Sequence, residues 1–187
     1  RGLGGYTHNG EAWRFYRPKD LCFRASNNLL EYLASIISPW IDIIDGDPPL
    51  GAYSLSMTDS STSEGWSRKT NFKDSDYEDH EEAAVRREVA REPAKHFYSE
   101  GIREYSQWFP GRYNHVADAL SRDDDRDDNE LTTILKTYVP SQVPANFEIR
   151  HLPNEIVSWL TSPMWRLPVK EQLRERHTRT KRRRGDD

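Results

Sequence analysis

A single cysteine, Cys22, occurs among the 187 residues. One cysteine can close no internal disulfide and build no cysteine-based zinc site, so Cys22 is expected to pack as a small apolar side chain. Any run of about 18 apolar residues is also missing, which argues against a membrane-spanning helix. The opening RGLGGYTHNG has no apolar core of the kind a secretory signal needs. The expectation is a soluble intracellular chain, cytoplasmic or nuclear, with no membrane partner. Position 1 is not Met, which suggests a fragment or processed piece of something longer. No internal repeat is found. The apolar fraction is low, 35%, with a mean hydropathy of -0.94. Against that stand six Trp, nine Tyr and six Phe, too many for a wholly disordered chain. A net charge of -4 argues mildly against general nucleic-acid binding, because phosphate contacts need Lys and Arg. The acids are concentrated, however, in two runs, 74–82 and 123–130. Outside these runs lie basic or aromatic stretches: WRFYRPK at 13–19, WSRK at 66–69 and RERHTRTKRRR at 174–184.

Residues 2–16 read as a hairpin turning at Asn9-Gly10. Asn27 or Asn28 then caps a helix whose stripe is Leu29, Leu30, Leu33, Ile36, Ile37, Trp40, Ile41 and Ile44, with Pro39 expected to kink or break its last turns. After the turn GDPPLG, Tyr53, Leu55 and Met57 alternate with small residues, as in a strand ending at Thr58-Asp59. A short helix over 60–68 and an acidic loop follow. The next helix runs from Glu81 to about Glu100, interrupted at Pro93 and ended by Gly101. REYSQWF reads as a strand, Pro110-Gly111 as a turn and 114–121 as a helix. Beyond Arg122 the run DDDRDDNE reads as a solvated hinge that also caps the helix ELTTILKTYV, followed by short pieces and a basic tail. The fold class is therefore α/β, a mixed sheet flanked by helices over 1–122, with a mostly helical or irregular extension over 123–187.

Three acids fall where such a fold gathers ligands, at strand ends and helix starts. Glu31 lies near the start of the long helix beside its apolar stripe, Asp59 at a strand's carboxyl end, and Asp118 near the start of a helix. Carboxylates without His or Cys favour Mg2+ or Mn2+, because hard cations choose oxygen. Each acid taken singly also fits a structural role: Asp118 and Asp59 as helix caps, and Glu31 as a surface residue in a first turn. Trp13, Trp66 and Trp108 read as core residues.

The stretch WFPGRYNHVADALSR, 108–122, closely resembles the end of the RNase H domain of retroelement reverse transcriptase polyproteins, where a Pro-Gly turn, an Asn and V-A-D-A-L-S-R recur. Upstream, MTDSSTSEGW (57–66) looks like that family's strand-end Asp motif, NNLLEYLA (27–34) like its helix Glu motif, and GLGGYTHNGEAW (2–13) like its first hairpin. The four blocks stand in family order over 1–122; the DSSTSEGW block and the long segment after ALSR are more like DIRS-type than gypsy-type elements, and ADALSR is shared by both. The resemblance implies an RNase H-like fold in which Glu31, Asp59 and Asp118 are catalytic carboxylates. They would bind two Mg2+ ions, or Mn2+, and cleave the RNA strand of an RNA/DNA hybrid. It implies further partners, a reverse transcriptase domain upstream and a recombinase or integrase downstream. Arg68, Lys69 and Arg112 flank the acidic motifs and are candidates for phosphate contact.

Two departures bear on activity. The family's first catalytic Asp belongs on a strand just before Gly2 and is not in the sequence, so the chain as given is expected to be inactive or weak. Trp108 stands where many members carry a His, and neither His8 nor His115 matches that motif. The alternative reading is a catalytically inactive RNase H-fold remnant that serves as a nucleic-acid-binding or connecting module.

Overall fold

The computed structural model describes residues 2–16, 26–46, 51–68 and 80–162, with side chains in the last stretch from Arg86 onward. Cys22, Lys69, the side chains of the first acid run and the basic tail lie outside the described residues. Among the described residues the chain is mixed α/β. Its strands are β1 (Gly2–Tyr6), β2 (Glu11–Tyr16), β3 (Tyr53–Thr58), β4 (Arg103–Trp108) and β5 (Glu148–Arg150). Its helices are α1 (Asn27–Asp45), α2 (Ser61–Ser67), α3 (His80–Ser99), α4 (His115–Arg122), α5 (Asp128–Tyr138) and α6 (Asn154–Leu160), with a 3-10 turn at Gly111–Tyr113. None of these helices is long and apolar enough to cross a membrane.

The strands form two small sheets. In the first, β1 pairs antiparallel with β2, and β2 pairs parallel with β5; in the second, β3 and β4 are parallel. The expected hairpin is present: the Thr7 N–H donates to the Glu11 carbonyl at 2.8 Å, and Gly10 takes φ +92°, a conformation that favours glycine.

Helix α1 joins the two sheets. Leu29, Leu33, Ile36, Ile37, Trp40 and Ile41 are all nearly solvent-free. Each such side chain contributes about 1.5–3 kcal/mol relative to exposure, so α1 makes the largest apolar contribution. Its cap is Ser26, whose Oγ accepts from the Leu29 N–H at 3.1 Å; Asn27 and Asn28, the expected caps, are the first helical residues instead. Pro39 does not end the helix, which continues to Asp45. Because proline has no N–H, the Ser35 carbonyl four residues earlier loses its helical donor. The Ser56 hydroxyl of β3 supplies the missing donor at 3.2 Å. One turn on, the Ser38 hydroxyl accepts from Trp13 Nε1 of β2 at 3.1 Å. The turn around Pro39 thus holds a strand from each sheet.

Helix α4 covers the opposite face of the hairpin. A Cβ on Gly4 would lie 2.6 Å from the Leu120 Cβ, so only glycine lets the helix come this close. Val116 and Leu120 join Ala12, Leu131, Leu135, Val143 and Phe147 in a second core. Residues 123–162 enter this packing through α5 and β5. Arg14 of β2 donates to the carbonyls of Asp123 (3.0 Å) and Arg126 (2.7 Å) and pairs with Asp128 at 2.7 Å, so the second acid run is anchored on the hairpin. Asp127 caps α5 by accepting from the Glu130 N–H at 2.8 Å. Helix α3 also continues through Pro93, and ends where Gly101, at φ +65°, lets the Ile102 N–H reach back to the Phe97 carbonyl at 2.8 Å.

The alternation expected of β3 is present, with the apolar side turned outward. Ser56 and Thr58 are buried, Ser56 against α1, while Tyr53, Leu55 and Met57 are more than half exposed. On β4, Ser106 is buried and Tyr105 exposed. The inward-facing neighbour Glu104 has an Oε1 with no hydrogen-bond partner among the described residues, and burial pushes its carboxyl up to about 7.

Two stability measurements follow. Ser56→Ala leaves the Ser35 carbonyl unpaired and is expected to cost about 1–3 kcal/mol in urea unfolding. In a Pro39→Ala background the restored backbone N–H serves that carbonyl, and the same change should cost less. Equal costs in both backgrounds would remove the proposed coupling. For Glu104, the folded pKa lies above the ordinary value of 4.5. Its favourable contribution is complete below the unfolded value and declines as pH rises from there through about 7. Glu104→Gln should therefore become progressively more stable relative to the unmodified chain as pH rises from 4.5 to about 7, and the difference should level off above that. A stability difference that stays flat with pH would contradict this placement of Glu104.

Candidate functional site around Asp59 and Asp118

Asp59 follows Thr58 directly, at the carboxyl end of β3. It is not the cap of α2: Ser60 takes that role, its Oγ accepting from the Ser63 N–H at 3.1 Å. The Asp59 backbone carbonyl is held by Trp108 Nε1 at 3.0 Å, tying the end of β3 to the end of β4. Trp108 is therefore a surface residue, 47% exposed, and not the core residue expected, whereas Trp13 and Trp66 are buried. The 3-10 turn passes over Asp59 so closely that a Cβ on Gly111 would lie 2.9 Å from Asp59 Oδ2.

Asp118 lies inside α4, in its first turn, and is not a cap either. Its backbone N–H donates to the Asn114 carbonyl at 3.0 Å, and its carboxylate pairs with Arg122, one turn on, at 2.9 Å. Burial raises the Asp118 pKa; the Arg122 charge opposes this, the Asp59 charge adds to it, and His115 opposes it. The Asp59 charge thus acts on Asp118, although the two residues stand 59 positions apart in the chain.

Glu31 is half-buried in the second turn of α1, not the first turn expected from the sequence. Among the described residues, no group of three or more His, Cys, Asp or Glu side chains could hold a metal ion. The arrangement therefore presents a pair of acids without Glu31. Carboxylates are hard oxygen donors of the kind that hold Mg2+ together with water and a phosphate oxygen. Among the described residues Asp59 and Asp118 supply such donors, and no three-carboxylate cradle for two ions is assembled.

Of the candidate basic residues, Arg68 is exposed and ion-paired with Glu64, and Arg112 is exposed and stacked on Tyr113, with its guanidinium 4.9 Å from the ring centroid. Lys69 lies outside the described residues. Sequence reading missed Arg122 and Gly111. The first had a legible signal, because an acid and a base four apart on a helix face each other. The closeness of Gly111 to Asp59 had none, since it depends on how β3 and β4 pair.

No family model, curated protein or solved structure matches the chain.

Proposed function

We propose that the chain is an RNase H-like domain of a retroelement polyprotein, acting on the RNA strand of RNA/DNA hybrids through Asp59 and Asp118. The observation that supports this reading is the placement of the two acids, Asp59 at the end of a parallel strand and Asp118 in the first turn of a later helix, with the Asp59 charge among those that raise the Asp118 pKa. Each stands in the stretch that resembles the family's motif for it. Mg2+ held by the pair would supply a Lewis acid for the phosphodiester and a more acidic bound water.

The chain's own residues prepare that role. Trp108 fixes the backbone at Asp59. Gly111 leaves room for its carboxylate. Arg122 offsets part of the burial that disfavours the Asp118 anion. Arg68 and Arg112 stand exposed for phosphate contact. The reverse transcriptase and the recombinase or integrase belong to this reading as neighbouring domains of the polyprotein.

A second reading, an inactive fold that binds nucleic acid without cutting it, is favoured by one observation: Glu31 does not join the pair in a metal-holding group among the described residues. Cleavage of a labelled RNA/DNA hybrid separates the two. In the first, the chain gives weak Mg2+-dependent cleavage, which Asp59→Asn reduces by about 100-fold or more, as loss of a principal electrostatic group does. Gly111→Ala, which crowds the Asp59 carboxylate, lowers it without loss of stability. Hybrid binding with no cleavage above the Asp59→Asn background supports the second reading and contradicts the first.

A further inference from the structure

The outward face of the β3–β4 sheet is apolar and uncovered by any described element. Its positions are Tyr53, Leu55 and Met57 on β3, and Arg103, Tyr105 and Gln107 on β4, in register Tyr53 with Arg103, Leu55 with Tyr105 and Met57 with Gln107. Exposures are 67% for Tyr53, 60% for Leu55, 54% for Met57 and 53% for Tyr105. A contiguous apolar patch on a folded surface marks a site of contact.

Three features indicate the partner. Tyr53 and Tyr105 lie diagonally across the strands, ring centroids 5.8 Å apart and tilted by 34°, and the Arg103 guanidinium sits 5.9 Å from the Tyr53 ring. Arg103 is the only charged residue among these six, in a chain that carries 31 acids. The same alternation that turns 53, 55 and 57 outward leads next to Asp59, beyond which Arg112 and Tyr113 repeat the guanidinium-on-ring pair. Rings with guanidinium groups over them, on a surface free of negative charge, suit unpaired bases and their phosphates.

We propose that this face is a stacking platform for single-stranded nucleic acid, with Tyr53 and Tyr105 receiving bases, Arg103 a phosphate, and the bound strand running along β3 towards Asp59. This deepens the reading above and rests on it for nucleic acid as the partner. It adds a binding surface that needs neither a duplex nor a metal ion.

The test is fluorescence anisotropy of an end-labelled single-stranded DNA of about 12 nucleotides, a length within the range such folds occupy, in EDTA at low salt. DNA of this kind gives no RNA strand to cut, so binding is read apart from cleavage. Tyr53→Ala with Tyr105→Ala should weaken binding by tenfold or more, because base stacking is lost at both rings. Tyr53→Phe with Tyr105→Phe should retain it. Arg103→Ala should weaken binding and reduce its salt dependence by about one ion. All three rings and charges are exposed, and circular dichroism checks that the fold is kept. Three results overturn the platform: no binding by the unmodified chain, unchanged binding in the double Ala variant, or a dimer that the same substitutions convert to monomer. Hybrid cleavage that persists while single-strand binding is absent removes the platform alone. Single-strand binding as expected with no Asp59-dependent cleavage removes the cleavage reading alone.

Discussion

A carbonyl without its helical donor holds the two halves of the described structure together. Pro39 sits inside the most buried helix and leaves the Ser35 oxygen unsatisfied, a defect that an apolar interior tolerates poorly. The Ser56 hydroxyl corrects it and brings β3 onto α1, while Ser38 and Trp13 secure the other sheet one turn away. Because β3 is fixed to α1 at Ser56, its carboxyl end is fixed three residues later, where Asp59 begins the candidate site. The inward face of β3 is consequently polar and small, and its large side chains face outward. One local defect thus connects helix chemistry, strand orientation and the exposure of an aromatic face.

The site depends on a second constraint, the separation of two like charges by just enough compensation. Asp118 is raised by burial and by Asp59, and lowered by Arg122 and His115. Arg122 thereby favours the Asp118 anion through a contact with one of its two oxygens. A cation with a strong preference for oxygen replaces that compensation more completely than a side chain can. The close approach of Gly111 and the Trp108 hydrogen bond hold Asp59 in place.

Much of the element order was legible because each signal was local: the Asn9-Gly10 turn, the i, i+3, i+4 stripe of α1, the period of two in β3, and Gly101 after α3. Proline was overread at both Pro39 and Pro93. Propensity penalises proline inside a helix, yet a hydroxyl from another element can satisfy the freed carbonyl, and that element lies 17 residues beyond Pro39. Which side of β3 faces the core was not legible either, because the period gives two faces and says nothing of which is buried. Trp108 was misplaced for the same reason: an indole beside a strand end can cap a carbonyl at the surface as readily as fill a core. Asp59 and Asp118 were legible from their places at a strand end and a helix start and from motif resemblance, whereas the action of one charge on the other, and the lack of a three-acid group among the described residues, depend on tertiary structure.

The most direct measurement of the central claim is the titration of the Asp118 side-chain carboxyl by carbon NMR, in the unmodified chain and in Asp59→Asn, with and without Mg2+. If the two acids form one cation-holding unit, removing the Asp59 charge lowers the Asp118 pKa, and Mg2+ lowers it in the unmodified chain much more than in the variant. An Asp118 titration indifferent to both Asp59 and Mg2+ would contradict the account.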